Sequence, residues 1–266
     1  MSEQLLVERE GDGSVARVTL ARPDVRNAFN AQLIAALTVA FHELSSEPPE
    51  SLRAVVLAGD GESFCAGADV AWMRASLELS VAQNEADAAR LAEMLEAIDA
   101  CPVPVIARVQ GAALGGGMGL CAVADVVLST ANATFGFTET RLGILPAVIS
   151  PFVLARIGEG HARALFPTGE RFDADRALRI GLVHEVHADL AAVDARLAEL
   201  LDGLLAAGPT AARAAKAIVR DQRGLTGEER RQLTVQAIAR QRTSAEGQEG
   251  LTAFLEKRPP SWGRGS

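Results

Sequence analysis

The stretch from Cys101 to Gly143, CPVPVIARVQGAALGGGMGLCAVADVVLSTANATFGFTETRLG, restricts the fold more than any other part of the sequence. Residues 103–109 are largely apolar and β-branched, interrupted by Pro104 and Arg108, which predicts a strand covered on both faces. Gly111 and the run Gly115-Gly116-Gly117 end it, and the apolar residues 118–124 predict a short buried helix. A glycine triplet entering such a helix lets a ligand approach backbone N–H groups where the helix N-terminus favours negative charge. The glycines alone fit an oxyanion site and a closely packed tight turn equally well. Asp125 then opens another strand, 126–129, and residues 135–143 follow with Glu139 set among Phe135, Phe137 and Leu142. An acid in apolar company has its charged form disfavoured and can hold or take a proton near neutrality.

Other chemistries find little support. The glycine segment has no G-x-G-x-x-G register and no phosphate-loop Lys, so a nucleotide site is not expected there. There is no G-x-S-x-G for a Ser-His-Asp hydrolase. His184 and His187 are separated so that a strand would turn them to opposite faces, and no zinc-type spacing accompanies them, so no metal is expected. Net charge is −8, which argues against nucleic acid as a partner, and an anionic ligand would need local Arg or Lys. The odd count of three cysteines, all in apolar settings, reads as reduced core residues in a cytoplasmic protein. No run is long and apolar enough to span a bilayer, and no signal-peptide pattern is seen, so no membrane association is expected.

Taken in order, the chain predicts strands at 5–9 and 15–21 joined by Gly11-Asp12-Gly13, a hairpin signal. A loop at 22–28 leads to a helix capped by Asn30 and running to about 44. A buried strand at 53–58 ends in a second small-residue loop, 63–69, and a long helix occupies 80–100. Both small-residue loops follow strands, and in sheets of this kind ligands gather beyond the strand ends. Ala66-Gly67-Ala68 and the glycine triplet could therefore face one another, each offering a backbone N–H to one oxygen, although spacing alone does not require that they meet. Beyond Gly143, residues 144–157 predict a helix with a start broken by Pro146 and Pro151. Asp173 caps a short helix to 180, and 182–186 predict a last strand. From 189 onward the pattern is wholly helical, at 191–205, 210–220, 227–240 and 245–256.

The ordered set Arg22-Pro23, Asn27-Ala28, residues 64–69 (FCAGAD), Pro104, residues 111–117, Ala124-Asp125, Phe135-Gly136-x-x-Glu139-x-x-Leu142-Gly143 and Gly181-Leu182-Val183 resembles the crotonase (enoyl-CoA hydratase/isomerase) family. The likeness extends to Ala253-Phe254-x-Glu256-Lys257-Arg258 and covers nearly the whole chain. It implies an α/β fold, a crotonase-like superhelix of repeated ββα units over 1–188 with a helical C-terminal trimerisation region over 189–266. It further implies an acyl-CoA substrate, no separate cofactor since coenzyme A is part of that substrate, and a homotrimer or a hexamer of two trimers. On matching positions the thioester oxygen meets the N–H groups of Ala68 and Gly116, and Glu139 is the catalytic acid. Arg26, Ala28, Ala66 and Asp69 would follow the CoA path, with Phe254 and Lys257 helping to cover it.

The family's hydratases commonly carry a second glutamate where this chain has Gly119. Either Glu139 alone then relays both protons, as base to the water and acid to the α-carbon, or a water or another polar group replaces the missing acid. A single carboxylate also suits the family's isomerases. A narrower resemblance, carried by Ala71-Trp72-Met73, Thr138-Glu139-Thr140-Arg141, residues 146–153 and the Pro-x-x-Trp262 ending, is to a bacterial branch of methylglutaconyl-CoA or carboxygeranoyl-CoA hydratases. Those serve leucine and isoprenoid breakdown. The vacancy at Gly119 is then expected to admit a branched or carboxylated acyl group beside Trp72, with Arg141 available for a carboxylate. A non-catalytic acyl-CoA-binding protein is the reading from another class, and Glu139 in its apolar frame weighs against it.

Overall fold

The computed structural model describes residues 4–263. Six strands form the main sheet in the order β1 (Leu5–Glu10), β2 (Val15–Leu20), β3 (Ala54–Gly59), β4 (Val105–Val109), β6 (Val126–Thr130) and β9 (Glu185–His187). Only the β1–β2 hairpin is antiparallel; every other pair is parallel. A smaller sheet of β5 (Ala112–Leu114), β7 (Thr134–Gly136) and β8 (Arg171–Asp173) lies beyond the ends of the main strands. Isolated bridges Cys65↔Ala113 and Phe29↔Ala68 extend this second layer back toward the N-terminus. β2, β3, β4 and β6 are each followed by a short second-layer strand or bridge and then a helix, the repeat that makes the superhelix.

Side chains alternate along the parallel strands, so the sheet has two apolar faces. Val55, Leu57, Val105 and Ala107 face the larger core, with Leu33, Leu37 and Phe41 of α1 (Ala31–Ser45), Leu95 and Ile98 of α3 (Val81–Asp99), and the nearly all-buried α4 (Gly116–Val123). Val56, Ile106 and Leu128 face the other way, onto Val193, Leu197 and Leu205 of α7 (Leu190–Ala206). A boundary at 188 therefore divides the sequence but not the core, since α7 closes the second face of the sheet. The tail continues as α8 (Pro209–Asp221), α9 (Gly227–Thr243) and α10 (Ala245–Glu256). Lys216 of α8 pairs with Asp125 at 2.6 Å and bonds Val103 O, while Arg213 bonds Glu47 O, Pro48 O and Leu52 O. Those anchors lie at the N-terminal ends of the parallel strands, which places α8 opposite the glycine loops.

Three expectations need correction. The helix expected at 144–157 is α5 (Ser150–Leu165); Pro151 stands in its first turn, where a fixed φ and a missing N–H are tolerated, so the prolines mark the start and not a break within. The last strand is the three-residue β9, because Val183 and His184 are still in the turn that follows α6 (Ala174–Arg179). The loop after Asp69 holds an unexpected helix, α2 (Val70–Ser76), which buries none of its residues and so leaves no apolar stripe to read.

Candidate active site

Two loops meet beyond the ends of β3 and β4. The first, after β3, is stitched to the second by Cys65 N to Ala112 O and Leu114 N to Cys65 O, both 2.9 Å. Gly115 has φ 50° and ψ −117°, a conformation open only to glycine, and a Cβ there would lie 3.7 Å from the Gly67 Cα. The sequence expectation that Ala66-Gly67-Ala68 and the glycine triplet face one another is what the structure contains.

Two amides at this junction are left over. Phe29 N donates to Gly67 O at 2.7 Å and Asp69 N donates to Phe29 O at 2.8 Å, which clamps the Gly67–Asp69 backbone but uses no hydrogen from Ala68. Gly116 is the first residue of α4, where a helix has no internal partner for the N–H. Among the described residues, neither the Ala68 nor the Gly116 amide donates to a hydrogen bond. The helix N-terminus adds its partial positive charge at the same point.

Glu139 reaches this place from the other side, on a 3-10 turn at Thr138–Leu142 that follows β7. Thr140 Oγ1 bonds Phe166 O at 2.9 Å and fixes the turn. Glu139 Oε1 would be 3.5 Å from a Cβ at Gly115, so the acid lies directly over the glycine turn. Its Oε2 is buried with no hydrogen-bond partner. Burial raises the Glu139 carboxyl above its ordinary 4.5, against a smaller lowering from its own backbone N–H. The frame differs in one member from the expected trio: Phe135 and Phe137 are fully buried against Phe172 and Phe166, but Leu142 is 62% exposed.

The residues expected along the CoA path gather around the first loop. Arg26 is exposed, makes no ion pair among the described residues, and accepts Ala66 N–H on its carbonyl at 2.9 Å. Ala28 is buried, and its carbonyl accepts from Arg22. Asp69 does not offer its carboxylate to a ligand. It caps α2 through Ala71 N at 2.7 Å and pairs with Arg22 Nη2 at 2.7 Å. Burial alone would raise the Asp69 carboxyl, but the bonds from Arg22, Ala71 and Trp72 outweigh it and hold the group below its ordinary value.

The predicted pocket residues fare differently. Trp72 packs on the core and donates Nε1–H to Asp87 at 3.0 Å, tying α2 to α3. Arg141 is exposed and folds onto the turn at Gly169, whose Cβ position lies 2.9 Å from Arg141 Cγ. Gly119 is not beside open space. A Cβ there would fall 2.6 Å from Ile149 Cγ2 and 3.4 Å from Leu95 Cδ2, so the expected vacancy is filled by Ile149. Phe254 and Lys257 do not join the site in their own chain: they end α10, which packs on α8 and α9.

Sequence reasoning missed Arg22, Phe29 and Ile149 as parts of this site. Arg22 was visible as half of an Arg-Pro pair, but its partner is 47 residues away. Nothing local marks Phe29 or Ile149 as more than core. Cys65, the thiol nearest the loops, is buried and pushed up to about 12, so it stays protonated and inert. A cavity of about 750 Å³ under α8 is lined by Pro104, Ile106, Leu204 and Lys216, but that lysine is already paired with Asp125.

An unclaimed pair of amides, one of them at a helix start, faces Glu139 across a glycine turn. Known proteins resemble the chain over nearly its whole length. The family model described as enoyl-CoA hydratase/isomerase matches residues 10–265. Among solved structures, AtuE of Pseudomonas aeruginosa is 39% identical with a TM-score of 0.93, covering 98% of this chain and 100% of that one. An enoyl-CoA hydratase from Shewanella pealeana is 37% identical with a TM-score of 0.91, covering 97% and 96%. Enoyl-CoA hydratase AKT6-1 of Alternaria alternata is 33% identical over 224 residues, 82% of this chain and 72% of that protein. The chain belongs to the enoyl-CoA hydratase/isomerase family.

Proposed function

We propose that the protein adds water across the double bond of a 2-enoyl-CoA. The observation that carries this reading is Glu139, whose buried, unpartnered Oε2 lies over the glycine turn beside the two unclaimed amides of Ala68 and Gly116. A thioester oxygen received between those amides accumulates negative charge as water attacks C3, and preorganised donors stabilise it. The Glu139 carboxylate takes the proton from the attacking water and returns one to C2, so the carboxylate is restored and no redox partner is required. Coenzyme A enters as part of the substrate, and the free guanidinium of Arg26 suits its phosphates.

A second reading, movement of the double bond between C3 and C2, is favoured by the apolar Ile149 where a second acid would stand, since isomerisation needs one proton shuttle only. A pure acyl-CoA binder has no use for an unpartnered buried carboxylate. The branch resemblance favours a branched or carboxylated acyl group, as in leucine or isoprenoid breakdown. With Ile149 seated against Gly119, the branched apolar form fits better than one needing a cation, because Arg141 is turned onto Gly169. For Phe254 and Lys257 to cover CoA they must come from a neighbouring subunit. The exposed Val235, Ile238, Leu251 and Leu255 of the tail helices suit a trimer or a hexamer in the cytoplasm. No helix among the described residues is long and apolar enough to cross a membrane.

Incubation with a panel of straight, branched and carboxylated 2-enoyl- and 3-enoyl-CoAs, read by product mass and by the absorbance of the conjugated thioester, tests the reaction and its substrate. A gain of water on a 2-enoyl-CoA is the expected result. An unchanged mass with a moved double bond selects the isomerase, and binding without reaction overturns both.

A further inference from the structure

One buried side chain touches both halves of the proposed oxyanion site. Phe29 is 1% exposed and forms the isolated parallel bridge to Ala68. Its N–H holds Gly67 O, and across a trans peptide the Ala68 N–H must then point the opposite way, out of the Phe29 side of the loop. The backbone of Phe29 thereby sets the direction of one donor. Its ring sets the position of the other: a Cβ on Gly116 would lie 2.7 Å from both Cδ2 and Cε2 of Phe29, so the ring rests directly on the Gly116 Cα. Phe29 itself is held from behind. Asn27, fully buried, bonds Asp60 O and Ser63 O, Arg22 bonds Ala28 O and Asp69, and Asn30 caps α1.

We propose that Phe29 is the positioning residue that sets the spacing between the Ala68 and Gly116 N–H donors, so that the size of its ring governs turnover more than substrate binding. The inference rests on the reading of those two amides as the oxyanion site. Gly116 has an ordinary helical backbone, so alanine is allowed there and only the ring opposes it. Gly116→Ala must push either the ring or the helix start away, and a displacement near 1 Å at reacting groups costs about 10²-fold in rate.

The test is a double-mutant cycle on crotonyl-CoA, or on the best substrate of the panel, with melting temperatures for every variant. Gly116→Ala is expected to lower kcat about 10²-fold with little change in KM. Phe29→Leu, and Phe29→Met as a second variant should leucine not fold, should lower kcat about 10-fold, because the unsupported Gly116 amide drifts. Combined with Gly116→Ala, either one should recover at least about 10-fold over Gly116→Ala alone, since the smaller side chain makes room for the new methyl. Phe41→Leu, a buried core change in α1, should lower stability and leave kcat near wild type. Multiplicative effects in the double mutant, or a Phe29→Leu kcat no lower than that of Phe41→Leu, would overturn the spacer role. Full activity of Gly116→Ala would overturn it, because the ring would then yield to the methyl without moving the amide, which alanine retains. Glu139→Gln separates the two failures: if it is inactive while the Phe29 and Gly116 effects merely multiply, the hydratase reading stands and only the spacer falls.

Discussion

Replacing Glu139 by Gln should kill turnover and stabilise the protein in the same stroke, but only above a certain pH. Burial holds this carboxyl above its ordinary value of 4.5. For an acid raised in the folded state, the favourable contribution is complete below the unfolded pKa and is lost as pH rises through the folded one. At about pH 8 the wild-type protein therefore carries a charged group in a place that disfavours it, and glutamine does not. The size follows from Oε2, which is buried with no partner. Glutamine would leave a polar atom there too, so what it removes is the extra cost of leaving a charged and not a neutral group without a partner. That cost is taken at the lower end of about 1–3 kcal/mol because the side chain keeps some contact with solvent. About 1 kcal/mol in a domain of this size corresponds to roughly 2–4 °C in melting temperature. The mutant should melt that much higher than wild type at about pH 8, the gap closing toward about pH 4. Turnover, followed by loss of the conjugated enoyl absorbance, should fall at least about 10²-fold while acyl-CoA binding persists. Equal melting at every pH would show that Glu139 is not desolvated, and near-native turnover would show that it moves no proton.

Two further substitutions probe the surroundings. Gly119→Glu should cost about 1–3 kcal/mol in a melting experiment, because its Cβ meets Ile149 Cγ2 at 2.6 Å, and Ile149→Ala in the same chain should return part of that loss; a single mutant as stable as wild type would show that Ile149 yields freely. Arg22→Met leaves Asp69 buried without its cation, and removal of one partner from a buried pair costs about 3–5 kcal/mol. Both stability and kcat should fall, with Arg22→Lys intermediate, and a kcat unchanged in the folded Met variant would show that the pair does not hold the Ala68 loop.

Much of this fold is written in local signals. Asn30, Ser80, Asp173, Asp189 and Ser244 each cap the helix they precede, and the apolar β-branched runs became β3, β4 and β6. The short strands β5, β7 and β8 escaped notice because three residues are too few to show an alternation, and they exist only through pairing with one another. The same limit governs the site. Glu139 stood out because one acid among Phe residues is a local anomaly, and the two loops stood out as small residues after strands. The Arg22–Asp69 pair, the ring of Phe29 on Gly116 and the side chain of Ile149 on Gly119 join residues 30 or more positions apart, except that the Phe29 and Ile149 contacts leave no polar trace at all. The supposed vacancy at Gly119 failed for this reason: a missing side chain in a buried helix says only that something else is close.

What is close there bears on how one acid can serve where two are usual. Gly115 is the turn residue just before α4 and Gly119 is the fourth residue of that helix. The first glycine admits Glu139 and the second admits Ile149. A carboxylate at 119 would set a like charge beside Glu139 and push the two ionisations apart, leaving one group charged and the other protonated. In this chain a shift in the same direction is already present without a second acid, because burial disfavours the charged form of Glu139. A group that must accept a proton from water and then give one to carbon works best when its pKa lies near the working pH. An ordinary carboxylate holds its proton too weakly for the second half of that task. On this view the desolvation of Glu139 is a condition for it to act in both directions, and admitting water around its carboxyl should lower its pKa and with it the rate of protonation at C2.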